Sequence, residues 1–520
     1  MKKTNKVVFK RYEMGQPQLL PPSVEELIPE KHLVRVINEL IDKMDLTAIS
    51  KSYKGGGTSS YHPKMLLKVI VYAYAVQVYS GRQIAKGLRE NIPFMWLSGG
   101  NRPDFRTINR FRSEKLKGKI QTVFTEVLEY LIEAGYVKFE HYFVDGTKIE
   151  ADANRYSFVW KKSTQTHKRK LQEKVGELFK KIDEINEAEE AEYGDKDLEE
   201  LGEDSEIDSE KLHELAERVS QKLAEDPENK ELKKAKKAVE TDYIPRMEKY
   251  ERYEAALGER NSCSKTDKDA TFMQMKEDHM RNRTLKPGYN VQIGTENQMI
   301  VGFSIHQTST DSPTLVPHMR QLKQNLGKLP PNWIADAGYG SEENYLALLG
   351  EQITAYVKYN TFEKDRKKKR KESEKEKYNI RKFQYDEQTD TFVCPEGKPL
   401  FFEKCSQAKS ATGFISERRT YRCFDCDDCP AREVCTQAKD GRTLQFSPAY
   451  ERLRKQAFDR LTSEVGKKLR SLRSIDVEAV FGLLKGNKKF RRFHLRGLEK
   501  VEVEWGLLSI AHNMAKVAAC

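Results

Sequence analysis

Two short apolar segments that lead directly into an aspartate constrain the fold of this chain more than any other feature. They are Phe143-Val144-Asp145-Gly146 and Ile334-Ala335-Asp336-Ala337-Gly338, each with a glycine soon after the acid. Short runs of β-branched, aromatic and other apolar residues favour strands. A buried strand seldom ends in an acid unless that acid is paired or used. The sequence therefore predicts strands over residues 138–145 and 332–336 that each end in a carboxylate.

A third acid, Glu478, lies in a helical stretch near the end of the chain. Gly482 and Lys485 follow it by four and seven residues, so the three share one face of the helix. Between the two aspartates the pattern predicts a hairpin and a helix, and a further helix and strand precede the Glu478 helix. A ribonuclease-H-like catalytic core has this order of elements. We therefore predict an α/β fold in which the three acids meet at one edge of a sheet.

Carboxylates gathered from distant positions suit the hydrolysis or transfer of a DNA phosphodiester. In such sites two divalent ions, roughly 3.5 to 4 Å apart, activate the nucleophile and stabilise the leaving oxygen. Mg²⁺ prefers carboxylate oxygens as ligands. The candidate catalytic residues are Asp145, Asp336 and Glu478, with two Mg²⁺ or Mn²⁺ ions per site as the expected cofactor. The stretch 263–278 is a candidate source of a fourth ligand, for example Asp269, although no spacing argument selects it.

Three acidic motifs of this chain resemble those of a known family. Val144-Asp145-Gly146-Thr147, Ala335-Asp336-Ala337-Gly338-Tyr339 and Val477-Glu478-Ala479-Val480-Phe481-Gly482 look like the motifs of DDE transposases of bacterial insertion sequences. Tyr339 and the basic segment 491–497 fit the superfamily of insertion sequences 4 and 5. The resemblance is closest to the insertion sequence 1182 type, and it extends through residues 103–108 to residues 511–513.

The resemblance implies a cut-and-paste transposase that cleaves the terminal inverted repeats of its element and transfers the strand into target DNA. It implies Asp145, Asp336 and Glu478 as metal ligands. The partners would be double-stranded DNA carrying the terminal repeats, the target DNA and a second copy of the chain, in a homodimer or larger complex. Glu478 depends on the resemblance more than the aspartates do, because other acids lie in the same stretch: Asp476, Glu499, Glu502 and Glu504.

Two other functions fit the same residues. One is a ribonuclease-H-like nuclease or resolvase with the same acids but no transposition. The other is a domesticated DNA-binding protein, descended from a transposase, that has no enzymatic activity. The three intact acids argue against the second alternative, and the family resemblance favours a transposase over the first.

The gaps between the acids, 191 and 142 residues long, are too long for a bare core of this kind. Two heptad-like seams predict a helical hairpin inserted after the first acid. The first seam consists of Leu171, Val175, Leu178, Ile182 and Ile185, and the second of Leu212, Leu215, Val219 and Leu223. A cysteine-bearing segment is predicted before the third acid. We expect an N-terminal helical, DNA-binding region (1–125), the first part of the core (126–160), the helical hairpin (161–260), the continued core (261–360), a basic linker with the cysteine-rich insertion (361–464) and C-terminal core helices (465–520).

Four cysteines crowd into a short segment with the spacing Cys423-x₂-Cys426-x₂-Cys429-x₅-Cys435. Four thiolates in a tetrahedron suit a structural Zn²⁺, which would supply the folding energy of a small, charged segment with little apolar content. Cys394 is an alternative for one of the four ligands. An iron–sulfur cluster and unliganded thiols remain open as alternatives.

Basic residues point to a polyanionic partner. The net charge is +12, with 92 basic and 80 acidic residues. The predicted DNA contacts are Lys485, Tyr339, Arg491, Arg492, His494 and Arg496, together with Arg106, Arg110 and Arg112 on a helix that resembles a DNA-reading helix-turn-helix. The alternatives are core packing for Tyr339, a solvated helix face for the basic residues after 490, and a small helical bundle used for dimerisation for the N-terminal helices. We find neither a secretory signal nor a membrane-spanning run. We therefore expect a cytoplasmic protein without a membrane partner, associated with the nucleoid when bound to DNA.

Overall fold

The computed structural model describes residues 23–53, 60–193, 207–275, 284–366, 377–386 and 388–520. The chain divides into two compact units, one formed by residues 1–119 with 507–520 and the other by residues 120–506. Most of the predicted basic linker and of the acidic stretch after residue 193 lies outside the described residues. Among the described residues, no helix has both the length and the apolarity that a membrane span requires.

The first unit is helical, as the spacing of its apolar residues predicts. Leu66, Leu67 and Ile70 are fully buried on one of these helices. In the N-terminal part of the unit the helices are Leu33–Lys43, Thr47–Ser50, Pro63–Ala75, Gly81–Glu90, Ile92–Leu97 and Phe105–Arg110, followed by a π-helical turn at Phe111–Lys115. The helix Leu498–Val517 contributes its last residues to this unit.

The second unit is built around a six-stranded mixed sheet. Its strands are β1 (His141–Glu150), β4 (Thr271–Gln274), β5 (Leu285–Glu296), β6 (Met299–His306), β7 (Asn332–Ala335) and β8 (Thr354–Val357), whereas β2 (Phe158–Trp160) and β3 (Ser262–Ser264) form a separate pair. The sheet order is β4–β5–β1–β7–β8, and β6 also pairs with β5. β1, β7 and β8 are parallel, and β5 is antiparallel to β1. The predicted hairpin is therefore present as β5 and β6.

The structure corrects the predicted end of the first strand. Asp145 does not end β1, which continues to Glu150 because residues 143–150 pair with β5 on one side. On the other side, however, the pairing of β1 with β7 stops at Phe143, opposite Ile334. Asp145 is therefore the second residue beyond the last parallel pair on β1. On β7 the prediction is confirmed, because that strand ends at Ala335, directly before Asp336.

Helices cover the sheet. Ile120–Glu133 and Leu315–Leu326 pack together on the side where Phe124 contacts Phe303 of β6. A second group packs against β1, β5, β7 and β8, and it consists of Pro448–Thr462, Glu464–Arg473, the π-helical turn Ser474–Glu478, Ala479–Gly482 and a second π-helical turn at Leu483–Asn487. Helix Glu342–Gly350 connects β7 to β8. A sheet covered in this way is buried, as the buried residues of β1 show.

The segment predicted as a helical hairpin is a small bundle. It contains the helices Lys161–Tyr193, Ser209–Glu225, Lys230–Ala238 and Ile244–Leu257, with a π-helical turn at Val239–Tyr243. The predicted seam residues Leu171, Val175 and Val219 are buried in its core. Leu232 and Met247 from the later helices complete that core. The hairpin prediction was wrong because these later helices supply the apolar surface that the two seams pack against.

The cysteine-bearing segment is a five-stranded antiparallel sheet. Its strands are β9 (Gln384–Asp386), β10 (Thr391–Val393), β11 (Pro399–Lys409), β12 (Ile415–Arg422) and β13 (Thr443–Phe446), in the order β13–β12–β11–β10–β9. Phe392, Leu400 and Tyr421 form its core together with Cys423 and Cys426. The expectation that this segment has too few apolar residues to form a core was wrong, because these aromatic residues form one.

Candidate active site

One arginine side chain contacts all three predicted catalytic acids. The Nη2 atom of Arg473 lies 3.2 Å from Asp145 Oδ1 and 3.8 Å from Asp336 Oδ2, and its Nη1 atom lies 2.9 Å from Glu478 Oε1. The Arg473 side chain is only 13% exposed. A single guanidinium group spans a few ångströms, so the three carboxylates, far apart in the sequence, face one small volume.

The sheet register brings the two aspartates together. β1 and β7 pair in parallel with His141 opposite Asn332 and Phe143 opposite Ile334, an offset of 191 positions. Asp145 and Asp336 are separated by the same 191 positions. Both acids therefore lie two residues beyond the last parallel pair, where the strands no longer bond to each other. Each is oriented locally, because Asp145 accepts the Gly146 N–H and Asp336 accepts the Gly338 N–H.

A π-helical turn places Arg473 beside Glu478. The two residues are five positions apart, a spacing that does not share one face of an ordinary α-helix. Residues 474–478 instead form a π-helical turn, in which the hydrogen bonds run between residues five apart. Helical periodicity did not single out Arg473, and the sequence reasoning missed it for that reason.

Asp311 is a fourth carboxylate at the site that the sequence reasoning also missed. Its Oδ1 atom accepts the side-chain amides of Asn290 (2.8 Å) and Gln292 (3.1 Å), both of which are buried on β5. The pKa of the buried Tyr339 is raised, first by burial and then by the charges of Asp311, Asp145 and Asp336. Asp311 therefore belongs to the same electrostatic environment. It precedes a short 3₁₀ turn rather than following a strand, so no strand-end pattern marks it in the sequence.

Two glycines leave room for these side chains. A Cβ atom at Gly146 would lie 2.3 Å from Gln292 Nε2 and 2.6 Å from Asp311 Oδ1. At Gly338 it would lie 3.0 Å from Asp336 Oδ1. The glycines that follow the two aspartates in the sequence therefore permit the close approach of polar groups at the site.

The other acids of the C-terminal stretch have separate structural partners. Asp476 is buried and accepts the Thr295 hydroxyl and the Gln298 N–H, and burial raises its pKa. Glu504, fully buried, accepts the backbone N–H groups of residues 494 and 495. Glu502 accepts side-chain amides from Gln121 and Gln321. Of these acids and Glu478, only Glu478 has a described contact with the arginine that holds the two aspartates.

Asp269 is not placed as a fourth metal ligand. Its carboxylate accepts the N–H of Leu498 at the start of a helix. The neighbouring Asp267 accepts the Tyr289 hydroxyl and the Gly497 N–H, and burial raises its pKa. These contacts tie the 267–269 loop to the C-terminal helix. The described contacts therefore correct the suggestion that Asp269 joins the catalytic acids.

Within the described parts of the chain, no three His, Cys, Asp or Glu side chains are arranged to hold a metal ion. This finding covers both the carboxylates and the cysteines. At the carboxylates, the Arg473 guanidinium contacts oxygen atoms of all three acids.

Three predicted DNA contacts are instead buried. Tyr339 is fully buried and donates its hydroxyl to Gln292, and Lys485 is 8% exposed and donates to the Lys148 carbonyl oxygen. Arg112 is 4% exposed and donates to the Tyr74 hydroxyl and the Tyr79 carbonyl oxygen. These side chains are held in the interior by hydrogen bonds, so the prediction that they contact DNA is corrected.

The other predicted basic contacts lie on the surface. Arg106 and Arg110 are exposed on the helix Phe105–Arg110. Arg491, Arg492, His494 and Arg496 are exposed in the segment that pairs with the end of β1 at Glu150. Arg492 and Arg496 both contact Asp152 at 2.9 Å. The segment meets β1 five residues after Asp145, which along a strand is a distance of roughly 17 Å.

Five cysteines line one cavity of about 20 Å³, enough for a single water molecule or ion. They are Cys394, Cys423, Cys426, Cys429 and Cys435. Backbone amides donate to two of the thiols, from Lys398 to Cys394 Sγ and from Arg442 to Cys426 Sγ. Burial raises the pKa of Cys423 to about 12. The structure thus brings Cys394 together with the four cysteines of the spacing motif.

Two family models match the chain. Residues 22–114 match a model described as a transposase domain (DUF772), and residues 393–518 match one described as a transposase DDE domain. The second match contains Glu478, Arg473 and the cysteine cluster, whereas Asp145 and Asp336 lie outside it. No curated protein and no solved structure matches the chain. The two matches support a DDE transposase and indicate a transposase enzyme.

Proposed function

We propose that this chain, which carries two transposase domains, is a cut-and-paste transposase of the insertion sequence 1182 type. It would hydrolyse phosphodiester bonds at terminal inverted repeats and transfer the freed strand into target DNA. Asp145, Asp336 and Glu478 would be its catalytic residues. The observation that carries this proposal is the contact of one guanidinium with all three carboxylates.

The strand arrangement supports a ribonuclease-H-like core. Three parallel strands, β1, β7 and β8, lie beside an antiparallel hairpin formed by β5 and β6. The acids come from the middle of β1, the end of β7 and a helix that packs on this sheet, which is the order expected for such a core. The helical bundle and the cysteine-bearing sheet would then be insertions after β1 and after β8.

The donor set fits divalent ions. The side chains at the site offer carboxylate oxygens from Asp145, Asp336, Glu478 and Asp311, which Mg²⁺ and Mn²⁺ prefer. Bound ions would activate the attacking oxygen and stabilise the leaving oxygen. Because no metal geometry is preformed among the described residues, binding requires the carboxylates and Arg473 to rearrange.

The three acids differ in how firmly the fold holds their side chains. Asp145 has a side chain that is only 10% exposed, and it is held by β1, whereas the Glu478 side chain is 51% exposed. The Asp336 side chain is 38% exposed, but it accepts the Gly338 N–H directly after β7. We therefore infer that Asp145 and Asp336 form the fixed side of the site and that Glu478 adjusts to the substrate. Exposed arginines at positions 106, 110, 491, 492 and 496 would bind the DNA backbone, which sets orientation rather than sequence preference.

Single substitutions of the acids test the proposal. Purified Asp145→Asn, Asp336→Asn and Glu478→Gln are expected to bind DNA carrying the cognate terminal repeats but not to cut it in Mg²⁺ or Mn²⁺. Asp476→Asn is the matched control, because the hydrogen bonds from Thr295 and Gln298 fall on Oδ1 of Asp476, and an asparagine keeps that acceptor. Undiminished cleavage by any of the three acid variants would remove that residue from the mechanism.

The products separate the alternatives. A nuclease or resolvase would cut the DNA without joining the cut end to a target, and a domesticated DNA-binding protein would bind without cutting. Joined products, detected by sequencing across new junctions, would support the transposase. Inverted repeats that flank the gene would indicate a mobile element.

A further inference from the structure

We propose that Arg473 is an internal counter-cation of the carboxylate site, and that divalent ions bind only by displacing its guanidinium from the acids. This inference rests on the proposed function, because it takes the three carboxylates to be metal ligands. It assigns to Arg473 a positioning role that the family matches do not state.

The location of one nitrogen atom is the first argument. Arg473 Nη2 lies 3.2 Å from Asp145 Oδ1 and 3.8 Å from Asp336 Oδ2. Mg²⁺ bound by both of these oxygens would lie 2.0 to 2.1 Å from each. An ion shared by the two aspartates would bind the same two oxygens that the guanidinium contacts. The ion and the guanidinium therefore compete for these oxygens.

Charge is the second argument. Three ionised carboxylates that share a small volume repel one another, and the repulsion is strong where water is partly excluded. The guanidinium is permanently charged and offers several donors in a planar fork, so it can bond to acids on different elements at once. In the absence of metal, Arg473 thus offsets the repulsion and keeps Asp145, Asp336 and Glu478 together.

The bonding of the guanidinium is the third argument. Its Nη1 and Nη2 atoms contact the acids, whereas its Nε atom is buried and has no hydrogen-bond partner among the described residues. A buried donor left without a partner is unfavourable. This position is therefore stabilised mainly by the acid charges, and it loses that support once a divalent ion neutralises them.

The test measures Mn²⁺ binding to the full chain without DNA. Free Mn²⁺ is followed by its electron paramagnetic resonance signal during titration of the wild type, Arg473→Ala, Arg473→Gln and Arg473→Lys. We expect Arg473→Ala and Arg473→Gln to bind Mn²⁺ at least about tenfold more tightly than the wild type, because binding no longer breaks the ion pairs between Arg473 and the acids. Arg473→Lys keeps the charge but not the planar fork of donors, so its Mn²⁺ affinity should lie between that of the wild type and those of the other two variants.

Two further variants distinguish a failure of the proposed metal site from a failure of the role proposed for Arg473. Lys467→Ala, an exposed position on the same helix that pairs with Glu464, should bind Mn²⁺ as the wild type does. Asp336→Asn should bind it more weakly if the acids are ligands. If Asp336→Asn binds as well as the wild type, the proposed metal site fails. If Asp336→Asn binds weakly but neither Arg473→Ala nor Arg473→Gln binds more tightly than the wild type, the counter-cation role of Arg473 is refuted.

Thermal unfolding gives a second readout. Without metal, Arg473→Gln should melt at a lower temperature than the wild type, because the carboxylates lose their counter-ion. Saturating Mn²⁺ should then raise its melting temperature by more than it raises that of the wild type. An Mn²⁺-induced shift equal to or smaller than that of the wild type would contradict the proposal.

Discussion

Gly146→Ala should disrupt the site by adding a single methyl group. The new Cβ atom would lie 2.3 Å from Gln292 Nε2 and 2.6 Å from Asp311 Oδ1, whereas non-bonded atoms prefer about 3.5 Å or more. Gln292 cannot easily move aside, because it is fully buried and hydrogen-bonded to Tyr339, Asn290 and Asp311. The strand or this hydrogen-bonded network must therefore shift.

The magnitude follows from these contacts. Overpacking of a well-packed interior costs about 1 to 3 kcal/mol, and each buried hydrogen bond that breaks costs about 1 kcal/mol more. We expect the opening of β1 and β5 to become easier by about 2 to 4 kcal/mol. This corresponds to backbone amide exchange that is faster on the order of 30- to 1000-fold. Cleavage should fall as well, because Asp311 and the neighbouring Asp145 are displaced.

Hydrogen exchange followed by mass spectrometry on peptides from β1 and β5 measures this effect locally, which suits a chain with several compact parts. Gly176→Ala is the control, since a Cβ atom at Gly176 meets nothing within 4 Å and alanine favours its helix. That variant should leave exchange in β1 unchanged. Wild-type exchange and wild-type cleavage in Gly146→Ala would refute the reasoning that close approach at this glycine shapes the site.

Three further predictions concern other parts of the chain. Burial lowers the pKa of His318 to about 3 and that of His306 to about 4, so the unfolded chain takes up protons first on acidification. The free energy of unfolding that these neutral histidines contribute should be fully present above about pH 6.5 and decrease towards pH 4. In urea unfolding, His318→Gln should lose less stability than the wild type over that pH range. The five cysteines of the cavity are not preformed as a metal site, and we expect them to rearrange around zinc. Metal analysis should then find one zinc per chain, lost in Cys426→Ser but kept in the exposed Cys405→Ser, and equal zinc in both variants would exclude the cavity as the site. Arg106→Ala should weaken DNA binding about equally for all sequences and lower the salt slope by about one, whereas a change in sequence preference alone would argue for base contact.

Local patterns in the sequence were enough to predict many of the strands and helices of the second unit. Periodicity predicted the hairpin of β5 and β6, the strand before Asp336 and the helical C-terminal stretch, because side-chain alternation and helical spacing are local properties. They were not enough for the end of β1. That strand extends past Asp145 because β5 pairs with it from 138 to 152 positions away, and the pairing is not encoded next to the aspartate.

In the helical and cysteine-bearing segments, too, the sequence predicted some features, whereas long-range contacts determined others. Their composition set them apart from the core, but the number of helices in the first and the aromatic core of the second depended on contacts between distant residues. The solvent exposure of side chains also depended on the tertiary structure. Arg112 and Lys485 look like DNA contacts from their charge, yet buried hydrogen bonds hold them in the interior.

The sequence alone selected Asp145, Asp336 and Glu478 as the candidate acids and indicated the kinds of element that carry them. Only the tertiary structure decided what surrounds them. The shared offset of 191 positions aligns the aspartates through the pairing of β1 with β7, and a π-helical turn brings Arg473 alongside Glu478. The loop that holds Asp311 reaches the same place through amides on β5. Arg473 and Asp311 follow no strand or helix pattern that leads to the site, because their positions arise from packing between elements rather than from the local spacing of residues.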